Sequence, residues 1–365
     1  MADKMKKLNF KKFLKGNALT YLMVIVAYVI LFVMQTLGLL SNSLSGFLVP
    51  ICAYVVMAVS LNLTVGIMGE LSLGHAGFMS VGAYTGAVCS ALLADLIPFA
   101  PLRLAIAMVG GGILAGLVSL IVVVPVLRLR GDYLAIVTLA FGEIIRNIMQ
   151  VIYIGKDANG VHFAMSEGAL NMAEGGKMIV RGPMGVVGIQ KISTLTMGFI
   201  LVMITLVVVL NLIRSRQGRA IMAMRDNRIA AESVGISIAK YKIMAFVTSA
   251  VLAGAAGALY AMNFSSILSK KFDFNTSILV LVFVVLGGMG NIRGSIIAAA
   301  ALTILPELLR EYADYRMLVY AIVLIVVMLV TNNPKIKPMA TKFWEEKITP
   351  KLPKKKAKEG TANGK

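Results

Sequence analysis

Apolar residues fall along this chain in long blocks, near 19–40, 47–65, 75–97, 103–127, 133–154, 195–213, 243–268, 276–290, 295–312 and 315–331. Most hold about 20 residues, the length a helix needs to cross a bilayer. Lipid offers a bare backbone no hydrogen-bond partner, so each crossing block is predicted to be helical. The expected fold is all-α and integral to a membrane, with about ten transmembrane helices. The blocks at 276–290 and 295–312 are short and interrupted by glycine, which reads as half-helices or a bent hairpin.

Composition agrees with the pattern. Of 365 residues, 58% are hydrophobic and only 15% charged, whereas soluble domains run near a quarter charged. A water-soluble enzyme is thereby excluded. The 34 Gly and 23 Met suit helices packed closely in lipid. Cys52 and Cys89 both lie inside apolar blocks, so no disulfide framework or thiolate metal site is read from them.

The net charge of +19 is concentrated in three short segments. Residues 1–16 carry Lys4, Lys6, Lys7, Lys11, Lys12 and Lys15 against Asp3. Residues 332–365 carry ten Lys against Glu345, Glu346 and Glu359. The 214–242 connection carries Arg214, Arg216, Arg219, Arg225, Arg228, Lys240 and Lys242 against Asp226 and Glu232. A nucleic-acid binder carries its basic residues on a folded face among aromatics; here they flank apolar blocks, as cytoplasmic retention of positive loops requires. With ten spans and a cytoplasmic N-terminus, Arg128 and Arg130, the 214–242 loop and the C-terminus all fall on the cytoplasmic side.

Three regions follow: a basic cytoplasmic tail at 1–16, a transmembrane domain at 17–331, and a Lys-rich cytoplasmic tail at 332–365 that meets anionic lipid. The first block is too long for a signal peptide and is expected to stay as an uncleaved span. Loop 155–194, the one long external connection, is polar and Gly-rich. Loops of that length are functional or disordered, so it reads equally as a docking surface or a mobile linker.

Three stretches carry candidate chemistry. From Asn62 to Gly86, glycines at 66, 69, 74, 77, 82 and 86 interrupt an apolar run that also holds Glu70, Ser72 and His75. A helix broken in this way exposes backbone dipoles, as transporter substrate paths do; the plainer reading is a solvated cytoplasmic turn. Gly82 and Gly86 are spaced for a close helix crossing. His75 has no partners at metal-ligand spacing, and no metal is expected.

The second stretch, Arg128 to Arg146, places Glu143 and Arg146 three residues apart on one helix face within a block. It reads either as a polar patch beside a substrate path or as a structural ion pair. The third stretch is Gly218 to Ile236. Asp226 or Asn227 can cap a short helix there, Ala230, Ala231 and Glu232 continue it, and Gly235 can close it in a left-handed turn. A compact helix held between two spans is a handle for a soluble partner.

All three stretches, with Phe246–Tyr260 and Val284–Gly294, resemble the integral-membrane permease of branched-chain amino-acid ABC importers, of the LivM type. The resemblance covers roughly 50–330 and departs at Glu70, where family members often carry Gln. It implies a transport subunit, not an enzyme, in the cytoplasmic (inner) membrane. The implied assembly holds a second permease subunit, cytoplasmic ATPase subunits with ATP and Mg, and an external substrate-binding protein; no nucleic acid is involved. It also implies that Gly218, Arg219, Arg225, Asp226, Asn227, Glu232 and Gly235 engage the ATPase. Asn62, Glu70, Ser72, His75, Glu143 and Arg146 are the substrate-path candidates. The chain itself needs no cofactor: Gly175-Gly-Lys177 lacks the upstream glycine and hydroxyl residue of a phosphate loop. Two alternatives stay open. One is an amide or urea importer permease. The other is an ion-coupled secondary transporter using Glu70, Glu143 or Asp132.

Overall fold

The computed structural model describes residues 2–309 apart from 128, 130, 158–159 and 171–175, together with 318, 321, 322 and 325. Eleven α-helices lie among the described residues: α1 (Ala2–Thr36), α2 (Asn42–Asn62), α3 (His75–Leu92), α4 (Ala100–Val126), α5 (Asp132–Val151), α6 (Leu195–Arg214), α7 (Arg216–Asp226), α8 (Arg228–Ser233), α9 (Ile238–Ala261), α10 (Phe274–Gly287) and α11 (Ile292–Leu308). Six segments are long and apolar enough to cross a membrane: Ala18–Thr36, Ser43–Met68, Ala100–Pro125, Asp132–Val151, Leu195–Arg214 and Ile238–Ala261. The expected block at 315–331 lies mostly outside the described residues, as do Arg128, Arg130 and the C-terminal tail.

Local sequence sets the helix starts. Ser41, Thr194 and Asp273 each accept a hydrogen bond from a backbone N–H in the first turn of α2, α6 and α10, which satisfies a donor the helix itself leaves open. The blocks at 276–290 and 295–312 form the hairpin alternative: α10 and α11 turn on Gly288 (φ +90°) and Gly290 (φ +82°). Only glycine adopts that backbone without strain.

The centre is the packing of α3 against α4 and α9. A Cβ on Gly82 would overlap the Gly254 backbone. One on Gly86 would meet Ala258 Cβ at 2.5 Å, and one on Gly111 would lie 2.8 Å from the Gly82 carbonyl oxygen. The missing side chains let three backbones touch, which replaces the hydrophobic drive that lipid removes. Gly82 and Gly86 thus serve the crossing that their spacing predicted.

The connection at 155–194 differs from expectation. Rather than a loop, its described residues form most of a five-stranded antiparallel sheet ordered β2-β1-β3-β4-β5: β1 (Tyr153–Asp157), β2 (Gly160–Ala164), β3 (Lys177–Arg181), β4 (Val186–Val187) and β5 (Ser266–Ile267). The last strand comes from the α9–α10 connection, pairing Val186 with Ile267. Val180, Val186 and Ile267, on β3, β4 and β5, are almost fully buried. The helical bundle gains a small β-cap at one end. The other end collects the α2–α3, α4–α5 and α6–α9 connections.

Candidate functional site

At that second end, α2 does not stop at Asn62 but widens into a π-helix, Leu63–Met68, which Gly69 (φ +78°) terminates. All six π-helical residues are buried. The chain then crosses 70–74 without regular structure before α3 begins, so the Gly-rich stretch is a break between two helices. Irregular turns of this kind are rare and concentrate at functional sites.

Side chains around the break tie it to its neighbours. Asn62, wholly buried, donates from Nδ2 to Ser295 Oγ at 2.9 Å and accepts at Oδ1 from the Gly290 N–H at 2.8 Å. Gly66 makes this junction possible, because a Cβ there would collide with Asn62 and Gly290. His75 Nε2 shares a 2.8 Å hydrogen bond with Ser60 Oγ, and the Ser60 carbonyl accepts from Ser249 Oγ at 2.6 Å. The Leu73 N–H donates to Thr138 Oγ1 and the Ala76 N–H to Ser277 Oγ, both at 3.1 Å. Ser72 Oγ and Glu70 Oε2 are buried and make no hydrogen bond among the described residues.

Glu70 faces Lys242, near the start of α9, at 2.7 Å; the Lys242 side chain is 1% exposed and that of Glu70 23%. Burial pushes the Glu70 carboxyl above the usual carboxylate range, against the opposing pull of Lys242 and, more weakly, Arg228. The Lys242 ammonium also reaches the Leu129 carbonyl at 3.4 Å. Asn62, Glu70, Ser72 and His75 therefore line one stretch of chain, at and around the helix break, each held by a different partner or, for Ser72, by none among the described residues. Glu143 and Arg146 do not join them by any bond: they pair with each other at 2.7 Å, half-buried on α5. The bridge lies within α5 and ties no second helix to it. Asp132 stands exposed in the first turn of α5.

Beside the break sits the α6–α9 connection. Ser215 accepts from the Gly218 N–H at 3.1 Å and starts α7, and Gly218 rests against the terminal carbonyls of α6, where a Cβ would collide. Ile221 and Met224 turn inward onto Leu63, Ile67 and Met68 of the π-helix and onto Ala245 of α9. Arg225 donates from Nη1 to the Gly66 carbonyl at 3.0 Å and from Nη2 to Asp226 Oδ1 at 2.9 Å. Its stem lies over Gly69, where a Cβ would meet Arg225 Cγ at 2.5 Å.

Asn227, not Asp226, caps α8, accepting from the Ala230 N–H at 3.1 Å. The helix closes as predicted: Gly235 (φ +84°) donates to the Glu232 carbonyl and Ile236 to that of Ala231, both at 3.0 Å. These are the two bonds of a Schellman turn. Arg228 and Glu232 pair at 3.3 Å across one turn of α8, while Arg219 donates to the Arg214 carbonyl at 3.2 Å. Ile229 and Val234 point outward, 80% and 74% exposed.

Sequence reasoning counted Lys242 only as a loop charge and placed Arg225 on the ATPase-facing element, not against Gly66. Their partners are distant in the chain, and no local signal marks them. The one hint was Lys242 standing at the edge of an apolar block, where an ammonium needs a partner.

Comparison with known proteins assigns the family. Residues 43–329 match the model of the branched-chain amino acid transport system permease component. The chain is 35% identical over 326 residues to the high-affinity branched-chain amino acid transport system permease protein LivM of Salmonella typhimurium, covering 85% of this chain and 71% of that protein. LivM of Escherichia coli (strain K12) gives the same figures. A fructose import permease, FruG of Bifidobacterium longum, is 26% identical over 120 residues, covering 31% of this chain and 35% of its own length. No solved structure matches the chain. With a family match over most of its length, the chain belongs to the branched-chain amino acid transport system permease family.

Proposed function

We propose that this chain is one permease subunit of an ATP-driven importer that carries branched-chain amino acids across the cytoplasmic membrane by alternating access. A second permease completes the pathway. ATPase subunits, holding ATP and Mg, dock at α7–α8, and an external binding protein delivers substrate at the end capped by the sheet. Both termini lie on the cytoplasmic side, the face that bears the Arg-rich connection.

The observation that carries the reading is the construction of the 216–236 element. It is capped at both ends, buries Ile221 and Met224 against the broken helix, and leaves Ile229 and Val234 bare to solvent. Ile229 on α8 and Val234 at its C-cap are the residues offered to a partner. The identity to LivM proteins supports the substrate class. At the break, the Glu70–Lys242 pair and the Ser72 hydroxyl, unpartnered among the described residues, supply charge and hydrogen-bonding capacity of the kind a zwitterion requires.

Placing Cys at Asn227 and cross-linking to the ATPase subunit in the assembled transporter tests the docking. A cross-link in at least one nucleotide state is the expected outcome, and none in any state defeats the proposal. Uptake competition by leucine, isoleucine and valine, against short amides and urea, separates this substrate class from amide import.

A further inference from the structure

The break at 66–75 is gripped at two points by the elements that flank the docking surface. Arg225 of α7 bonds the Gly66 carbonyl at 3.0 Å, and Lys242 of α9 bonds Glu70 at 2.7 Å. Between them lies the apolar seam of Ile221, Met224, Leu63, Ile67, Met68 and Ala245. An apolar seam transmits a push, but it is non-directional and slides under a pull or a shear. A hydrogen bond and an ion pair fix direction. The carbonyl that Arg225 takes belongs to the last turns of a helix, where backbone dipoles favour a cation.

We infer that Arg225 and Lys242 are positioning residues that fasten the 66–70 segment to α7 and the start of α9 as one rigid body. A displacement of the docking element is then delivered whole to the helix break. Asn62 lies four residues before this body and His75 five residues after it, bonded to Ser295 of α11, the Gly290 turn and Ser60 of α2. Movement of the body strains those bonds, so the motor's stroke opens or closes the break itself rather than only tilting α6 and α9. The inference rests on the importer reading and specifies where the stroke enters the permease.

The test uses the full complex in proteoliposomes, with leucine uptake and ATP hydrolysis measured on one preparation. In Arg225→Ala, leucine moved per ATP hydrolysed is expected to fall about tenfold whatever the absolute hydrolysis rate, within the usual range of coupling between sites. Arg225→Lys, which can still donate to the Gly66 carbonyl, is expected to recover most of the ratio. A merely structural loss lowers both rates together. Because Arg225→Ala can fail to assemble, a second measurement leaves Arg225 intact. Spin labels are placed at the exposed positions Leu71 and Ala223, and their separation is read in nucleotide-free and trapped states of a complex shown to transport.

A separation constant to within about 2 Å supports the rigid body, and a change near one helical turn, roughly 5 Å, overturns it. An unchanged uptake-to-hydrolysis ratio in Arg225→Ala also overturns it. A wild-type complex that hydrolyses ATP but moves no leucine refutes the importer reading and takes this inference with it. Wild-type transport with an unaltered ratio in the variant refutes the inference alone.

Discussion

Replacing Lys242 by Met is the sharpest perturbation of the site. At 2.7 Å and an effective dielectric of about 20, the attraction between Lys242 and Glu70 is about 6 kcal/mol before desolvation. Most of that offsets the cost of taking an ammonium out of water. Methionine fills the stem's volume and carries no charge, so it leaves Glu70 as the uncompensated group. Breaking a fully buried pair costs about 3–5 kcal/mol. Glu70 retains 23% exposure and can take water or a proton, which brings the expectation down to about 2–3 kcal/mol. Glu70→Gln keeps an acceptor for Lys242 and is expected to cost about 1–2 kcal/mol.

The double variant Glu70→Gln with Lys242→Met removes both charges and should be more stable than the sum of the singles implies. A coupling energy of about 1–2 kcal/mol is expected from the cycle. Denaturant titration in mixed micelles, followed by tryptophan-free spectroscopic probes such as circular dichroism, measures all four forms. Strict additivity, or a Lys242→Met cost under about 0.5 kcal/mol, would show that the pair does not hold the break.

Other substitutions separate packing from docking. Gly82→Val drives a branched side chain into the Gly254 backbone and is expected to cost about 3 kcal/mol or more, read as loss of monodisperse protein on size exclusion. Asn227→Ala removes the α8 cap at about 1 kcal/mol; the permease should still fold while ATPase co-purification weakens. Gly235→Ala meets no steric obstacle but must adopt φ +84°, costing about 1–2 kcal/mol locally with the same selective loss. Ile229→Asp, at an 80% exposed position, should leave thermal stability unchanged and abolish ATPase capture; normal assembly would remove Ile229 from the docking surface.

Some of this was legible along the chain and some was not, for physical reasons. Apolar length located α2, α4, α5, α6 and α9 because lipid demands it continuously. The start and stop of α8 were readable because caps are local: Asn227 and Gly235 act within three residues of themselves. The π-helical widening at Leu63–Met68 was not readable, since its residues are ordinary and the cause is tertiary, with Arg225 and Gly290 closing on Gly66. Short strands between glycines hid the sheet, for Val180 pairs with Ile154 and Val186, and Val186 pairs with Ile267 from another connection. Glu70 was noticed and Lys242 was counted, but their pairing depends on how α3 and α9 cross, which no window of sequence contains.

Uptake in proteoliposomes tests the central claim most directly. The chain is reconstituted with its partner permease, with or without the ATPase subunits, and external binding protein and labelled leucine are supplied. Accumulation that requires both the ATPase subunits and ATP, and that survives collapse of ion gradients, is the predicted result. Leucine accumulation without those subunits, driven by a proton or sodium gradient, would contradict the account and return Glu70 to the role of a coupling carboxylate.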